Sequence, residues 1–539
     1  MASLACATIL GLLLLVSGCG SAKTPAAATN TSVSAAGTTE VATSGPSAAP
    51  RIPHTDVNPF GVNTFLEREV EDWKKEQTMR MIHDAGIGWI KQQFVWAEIE
   101  EGGKGVFVSP KWHNSTWEKY DRIVDLADQY GIRVIARLDM TPAWARPPDS
   151  DAGTPPTNLN DFGDFVAEFV QHYKGRVQYL QIWNEPNLQE EWGRKGVDPK
   201  AYVEMLKIAY QRAKEADPNV FILTAPLAIT LETGPEHLNE TMFLQQMYDA
   251  GAKDYFDIVS ANAYGMEQPP TAPADPKVLN FARVELLRQV MEKNGDSNKA
   301  IWFNEYAWNA SPETMPKEAL IWQRVTEQQQ ADYTVAGIDM ARQQWPWAGV
   351  MNIWYFRQVG DIPPDKSEYY FRMVDPDFTP RLVYDSVKTA AQAMMVAGNG
   401  RHEETSAPVT RMGSWVEVAA PNASGTTYYK TDKPGNSLTL TFKGTDLSVV
   451  VRKGPDGGVL YVKVDGNGKK ATGLPKTDDG TAVLDLYSPQ EEWQVPVVVA
   501  KGLSASEQHT VELTMADKRN ASSSGAAIAV DAFDVSGGK

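Results

Sequence analysis

The chain is nearly without cysteine. Of its 539 residues only Cys6 and Cys19 are cysteines, both before residue 20. The body therefore has no disulfide framework, no thiolate nucleophile and no cysteine-based metal site. Histidine is scarce as well: the seven present show no His-Glu-x-x-His spacing, which argues against a zinc hydrolase. An excess of basic charge is missing too. With 51 Lys and Arg against 68 Asp and Glu the net charge is −17, which disfavours nucleic acid or anionic lipid as the main partner and leaves neutral ligands open. No Gly-x-Gly-x-x-Gly or Gly-x-x-x-x-Gly-Lys fingerprint follows the first predicted strand, so nucleotide-binding sheets lose support. What the chain does have is core-forming material. At 42% hydrophobic residues it is not disordered, and its length allows two or three domains.

The single strong apolar run lies at 9–16 and ends at Ser17, Gly18 and Cys19. It is too short to span a bilayer but suits the core of a secretory signal. Small residues directly before a cysteine resemble a bacterial lipobox. The resemblance implies a lipoprotein signal peptide over 1–18, acylation of Cys19, and a cell-surface protein that meets membrane only through its lipid anchor. Without acylation the protein would be secreted. The segment departs from the pattern in having no Lys or Arg before the apolar run. Residues 19–52 are expected to be a disordered tether: over 20–50, 26 of 31 residues are Ala, Ser, Thr, Gly or Pro, too little apolar bulk to offset chain entropy.

From 53 to 398 short apolar runs alternate with helical periodicity. Phe162, Phe165, Val166, Phe169, Val170 and Tyr173 fall on one helical stripe, with Asn160 or Asp161 as the expected cap and Gly175 as the end. Eight strands are expected, at 60–65, 89–96, 133–139, 177–185, 220–227, 257–264, 300–306 and 349–356. Eight strands separated by helices predict a (β/α)8 TIM barrel, with a doubly wound open sheet as the rival.

In such a barrel chemistry sits at the C-terminal ends of the strands. The fourth run ends at Trp183, Asn184, Glu185 and Pro186, and the seventh at Phe303, Asn304, Glu305 and Tyr306. Two strand-end glutamates across a cleft supply what glycoside hydrolysis needs: a protonated carboxyl for the leaving oxygen and an ionised one at the anomeric carbon. Apolar neighbours would push the two pKa values apart. Of the 16 tryptophans, 14 lie in the barrel region. Trp96, Trp144, Trp183, Trp308 and Trp354 fall at or just beyond strand ends, where an indole can bury the flat face of a pyranose. At least two of them are expected to be sugar platforms, Trp354 first among them. Arg137 and Asp139 share one face of strand three and are expected to pair, either orienting the site or as a structural ion pair.

Asn184-Glu185-Pro186 after strand four, with Glu305 ending strand seven, resembles the clan A retaining glycoside hydrolases. Thr141-Pro142-Ala143-Trp144 and Asp375-Pro376 resemble family 39 most, the β-xylosidase and α-L-iduronidase relatives. The resemblance implies Glu185 as acid/base, Glu305 as nucleophile, Asn184 on the sugar 2-hydroxyl and Tyr264 supporting the nucleophile, with a carbohydrate substrate and no metal or organic cofactor. The chain departs from the family at Asn262, where many members carry His, and at Lys91-Gln92-Gln93, where many place an Arg. These departures fall in the subsite of the cleaved sugar, so neither xylose nor iduronate specificity carries over.

Beyond about residue 399 the period changes to two, as in Leu438 to Phe442 and Leu460 to Val464, broken by Gly- and Pro-rich turns. A β-sandwich over 399–539 is expected. Its last strand and its Gly454–Gly458 turn look like galactose-binding-like modules, which implies either carbohydrate binding, with Tyr428, Tyr429, Tyr487 and Trp493 as candidate contacts, or a structural cap. The expected function is thus an exported retaining glycosidase acting on extracellular glycan. A non-catalytic glycan-binding lipoprotein and a transglycosylase using the same site are the alternatives.

Overall fold

The structure is a computed structural model and describes residues 51–360 and 362–537. The signal, Cys19 and nearly all of the expected tether lie outside the described residues. Eight strands, β1 (Phe60–Thr64), β2 (Trp89–Val95), β3 (Arg133–Asp139), β4 (Tyr179–Ile182), β5 (Phe221–Leu223), β6 (Val259–Tyr264), β7 (Ile301–Ala307) and β8 (Ala348–Ile353), form one parallel sheet. Its order is β5-β4-β3-β2-β1-β8-β7-β6, and a parallel bridge between Leu223 and Ile258 joins the two ends. The sheet is therefore a closed (β/α)8 barrel, not an open doubly wound sheet. Among the described residues no helix is long and apolar enough to cross a membrane.

Strand alternation sorts the side chains. On β3, Val134, Ala136 and Leu138 join the large core between barrel and helices, while Arg133, Ile135, Arg137 and Asp139 belong to the opposite, inward set. The helix Leu159–His172 covers this wall with Phe162, Phe165, Val166, Phe169 and Val170, all buried. Its cap is Asn158, whose side chain accepts from Asn160 N, not Asn160 or Asp161 as the sequence suggested. An Asx oxygen reaches the amide two residues ahead, so the cap falls one turn before the first apolar residue of the stripe. Inside the barrel the N-terminal end is filled by a separate cluster that includes Trp89, Ile135, Tyr179, Phe221, Trp302 and Val350. Tyr179 and Trp302 stack there, with centroids 4.8 Å apart. This aromatic floor closes one end of the barrel and leaves polar strand residues to line the other.

The remaining strands are antiparallel: β9 (Gly400–Glu403), β10 (Val409–Met412), β11 (Val416–Ala419), β12 (Thr427–Thr431), β13 (Ser437–Phe442), β14 (Asp446–Lys453), β15 (Val459–Val464), β16 (Ala482–Asp485), β17 (Glu492–Ala500), β18 (His509–Met515) and β19 (Ile528–Ser536). They form two sheets, β10-β13-β18-β15-β16 and β11-β12-β19-β14-β17, with β9 also on β19. Leu438, Leu440, Val449, Val462, Leu513 and Val530 are among the residues packed between them.

The sandwich docks on the floor of the barrel. Glu417 of β11 is buried and paired with Arg133, the first residue of β3. Tyr179 Oη donates to the same carboxylate at 2.9 Å. Gln178 brackets the Glu417 backbone: its Oε1 accepts from Glu417 N at 2.9 Å and its Nε2 donates to Glu417 O at 2.8 Å. Tyr429, a sugar-contact candidate, is instead buried in this seam beside Arg133 and Arg411. Tyr428 is buried against Trp493. Only Tyr487 and Trp493 keep partial exposure. On this face the sandwich is a cap.

Candidate active site

The turn after β4 delivers Glu185 to the rim opposite the floor. Trp183 and Glu185 both have positive φ, 71° and 40°, a region that costs a non-glycine residue of order 1–3 kcal/mol and is held only where its surroundings fix it. Here Trp183 N donates to Leu138 O at 3.0 Å, Glu185 N to Pro226 O at 3.1 Å, and Leu188 N returns to Glu185 O at 2.9 Å. The turn is thus bound to the neighbouring strand ends on both sides, and the carboxyl is set half-buried at the mouth.

Glu305 arrives differently, from within β7. In a regular strand Asn304 and Glu305 would point to opposite faces. The β6–β7 register jumps, pairing Ala261 with Phe303 and Asn262 with Glu305, so Asn304 is an extra residue on β7. Such a bulge re-aims side chains, and here both Asn304 and Glu305 reach the same network. Glu305 is buried and accepts from two donors: Lys91 Nζ on Oε1 at 2.8 Å and Tyr264 Oη on Oε2 at 2.7 Å. Asn304 Nδ2 contacts Glu305 Oε1 at 3.4 Å and donates to Asn262 Oδ1 at 3.2 Å. Asn262 Nδ2 then donates to Glu185 Oε1 at 2.6 Å. Two amides thus bridge the two glutamates.

Their surroundings are unequal. Burial, then the neighbouring charges of Glu305 and Glu191, push the Glu185 carboxyl up to about 8 against the hydrogen bond from Asn262. Glu305 instead faces an ammonium and a phenol. Burial lowers the pKa of Lys91, which the Glu305 charge opposes, and burial with the Glu305 charge raises that of Tyr264, so the tyrosine stays a donor. One carboxyl is thus placed to hold a proton, while the other accepts from an ammonium and a phenol.

Of the other sequence-derived candidates, Asn184 is buried beside Glu185 with its Oδ1 unpartnered. Arg137 pairs with Asp139, whose other oxygen takes Gln93 Nε2 at 2.7 Å. Trp354 is half-buried, near Lys91 and 5.5 Å from Phe65 in an edge contact. Trp144 is half-buried with Nε1 on Glu100 O at 2.7 Å. Trp308 is no platform. It is fully buried, donates to Gln268 O at 2.6 Å, and packs so tightly on Gly265 that an added Cβ there would lie 1.9 Å from its ring. Trp96 and Trp183 are core for the same reason: complete burial with the indole N–H satisfied internally.

Sequence reasoning missed three contributors. Lys91 stands inside β2, a parallel barrel strand where a buried lysine requires a charge partner. Glu191 follows Glu185 by six residues in a short turn, and burial raises its pKa against the pull of Arg137. Trp322, in the long segment after β7, lies 6.0 Å from Tyr264 and 5.3 Å from Phe371. With Phe65 and Trp354 it makes an aromatic surround for the nucleophile side of the site.

Residues 51–229 match the family model for cellulase (glycosyl hydrolase family 5). The match covers β1 to β5 and the turn bearing Glu185. Family 5 belongs to the same clan A as the family 39 pattern described above. The barrel, its strand-end glutamates and this match define a glycoside hydrolase. Solved structures of similar outline include a family 39 glycoside hydrolase from Bacteroides cellulosilyticus WH2, 20% identical, covering 85% of this chain and 81% of that one with a TM-score of 0.48. A GH39 β-xylosidase from Caulobacter crescentus is 16% identical, covering 87% and 97% with a TM-score of 0.46. The GH39 enzyme from Xanthomonas axonopodis pv. citri is 13% identical, covering 86% and 96% with a TM-score of 0.47.

Proposed function

We propose that the protein is an exported retaining glycosidase that cleaves O-glycosidic bonds of an extracellular polysaccharide or oligosaccharide. The observation that carries this reading is the inequality between the two glutamates: Glu305 accepts from the Lys91 ammonium and the Tyr264 phenol, whereas Glu185 accepts from the Asn262 amide and burial pushes its pKa up to about 8. Glu305 attacks the anomeric carbon while Glu185 gives its proton to the departing glycosidic oxygen. Glu185, now a carboxylate, takes a proton from water, and the resulting hydroxide displaces Glu305 from that carbon. Two inversions give net retention. The unpartnered Oδ1 of Asn184 would accept from a sugar hydroxyl, and Trp354, Trp322 and Phe65 would flank the ring.

The test is the anomeric configuration of the first product, followed by NMR on whichever of a panel of xylans, β-glucans, mannans, galactans and bacterial exopolysaccharides is cleaved. Retention supports the reading and inversion sinks it. Because the acid form of Glu185 is the competent form for the first step, kcat/KM should fall as pH rises through about 8. Glu185→Gln should abolish that limb and retain attack only on aryl glycosides whose leaving group needs no proton. We further propose that Cys19 is acylated at the bacterial surface. A clickable palmitate that labels Cys19→Ser as strongly as wild type would refute this.

A further inference from the structure

At the floor of the barrel, the end opposite Glu185 and Glu305, a cavity of about 470 Å³ lies between barrel and sandwich. Trp89, Ile132 and Arg133 line it from the barrel, and Val409, Arg411 and Tyr429 from the sandwich. The two walls meet at Gly131, whose φ is 66° and where an added Cβ would lie 2.8 Å from Arg411 O. Only glycine permits both the conformation and the approach, so β10 is seated against the turn that leads into β3.

Two guanidinium groups line this space, and their circumstances differ. Arg133 is buried, with Cζ 4.2 Å from the centroid of the Trp89 ring, and pairs with Glu417. Its Nη1 is nevertheless buried without a hydrogen-bond partner. Arg411 donates from Nη1 to Trp415 O at 3.2 Å, and among the described residues no carboxylate pairs with it. Burial lowers its pKa, and the nearby charge of Arg133 adds to this. Tyr429 stands by both, its ring centroid 5.8 Å from Arg133 Cζ and 5.9 Å from Arg411 Cζ. The one acidic residue in the lining, Asp84, is exposed beside His83. A desolvated cation without a counter-charge is costly, and here a ligand-sized cavity adjoins it.

We propose that this cavity binds a small organic acid of about monosaccharide size, whose carboxylate accepts from the guanidinium groups of Arg411 and Arg133. A guanidinium presents paired N–H donors that match the two oxygens of a carboxylate. The remaining walls, Trp89, Ile132, Val409 and Tyr429, suit a carbon skeleton, which inorganic phosphate lacks. The acid takes no part in hydrolysis, because the site is at the wrong end of the barrel. Its effect is mechanical: it ties the start of β3 to β10 and so fastens the sandwich to the floor, beside the existing pair of Arg133 and Glu417.

Isothermal titration calorimetry on the full chain tests this, with sodium glucuronate, sodium phosphate and glucose as probes at one fixed ionic strength. Glucuronate should bind once per chain, and at about 100 times Kd it should raise Tm by about 2–3 °C. Phosphate should bind at least tenfold more weakly, and glucose, equal in size but uncharged, should give no heat. Arg411→Met should lose glucuronate binding and, without ligand, melt no lower than wild type, because it removes a cation that no carboxylate partners. Arg411→Lys, which keeps the charge without the fork, should weaken binding about tenfold. No binding to wild type would overturn the proposal, and so would equal binding by Arg411→Met, which would place the acid elsewhere, the cleft included. Phosphate as tight as glucuronate would overturn the choice of an organic acid, and glucose as tight would overturn recognition of charge.

Discussion

Glu305→Ala is expected to lower kcat about 10⁴-fold, the scale of loss when a group that bonds directly to the reacting carbon is removed. The fold should survive. The variant strands Lys91 Nζ, which sits 2.8 Å from Glu305 Oε1 in a buried pair, and an unpaired buried charge is expensive. Lysine can escape that cost by shedding its proton, and burial already lowers its pKa. Tm should therefore fall by only a few degrees, which circular dichroism can follow beside the kinetics. The same variant has a chemical signature that a structural role cannot imitate. Azide or formate can enter the space left by the carboxylate and attack the anomeric carbon while Glu185 protonates the leaving group. Turnover should recover, and the azide adduct should have inverted configuration because only one displacement has occurred. A variant within tenfold of wild type would remove Glu305 from the reaction. A rescued product of retained configuration would mean another nucleophile does the work.

The barrel was legible because its signal is local and repeated. Each strand carries a short apolar run and each helix a buried stripe, as in Phe162 to Val170, and eight repeats leave little choice of architecture. The positions of Glu185 and Glu305 were legible for the same reason, since both stand where an apolar run stops. What the sequence could not convey is register. The bulge at Asn304 puts Asn304 and Glu305 into one network, whereas plain alternation would separate them. Lys91 contacts Glu305 across 214 positions, a distance that no local pattern reports. The tryptophans failed in the other direction. Trp308 and Trp354 look alike at strand ends, yet one is core and one lies by the site, because burial depends on what packs against a residue. Gly265 decides it for Trp308.

Whether the sandwich is an appended binding module or part of the barrel's own stability turns on Arg133 and Glu417. Both are buried, and Tyr179 Oη and the Gln178 amide complete the seam. Burial pushes the Glu417 carboxyl up and the neighbouring Arg133 guanidinium pulls it down, and the net result is a pKa held below the usual carboxylate value. His54, 3.7 Å away, offers little positive charge of its own, because burial lowers its pKa. Arg133→Met should therefore leave a buried carboxylate without the guanidinium that pairs with it directly, at a cost of about 3–5 kcal/mol. Chemical denaturation would read that loss. Adding Glu417→Met should recover most of it, because an apolar pair in place of a buried ion pair is often close to neutral. Turnover of a small soluble substrate, measured well below the melting point, should stay near wild type in both variants. Arg133 begins β3 at the floor, whereas Glu185 and Glu305 open at the opposite end. An Arg133→Met variant as stable as wild type would mean the seam contributes nothing, and the sandwich would then be a passenger. A loss recovered in the double variant makes it the closing piece of the barrel, with its sugar-binding capacity limited to surfaces away from Tyr429, such as those bearing Tyr487 and Trp493.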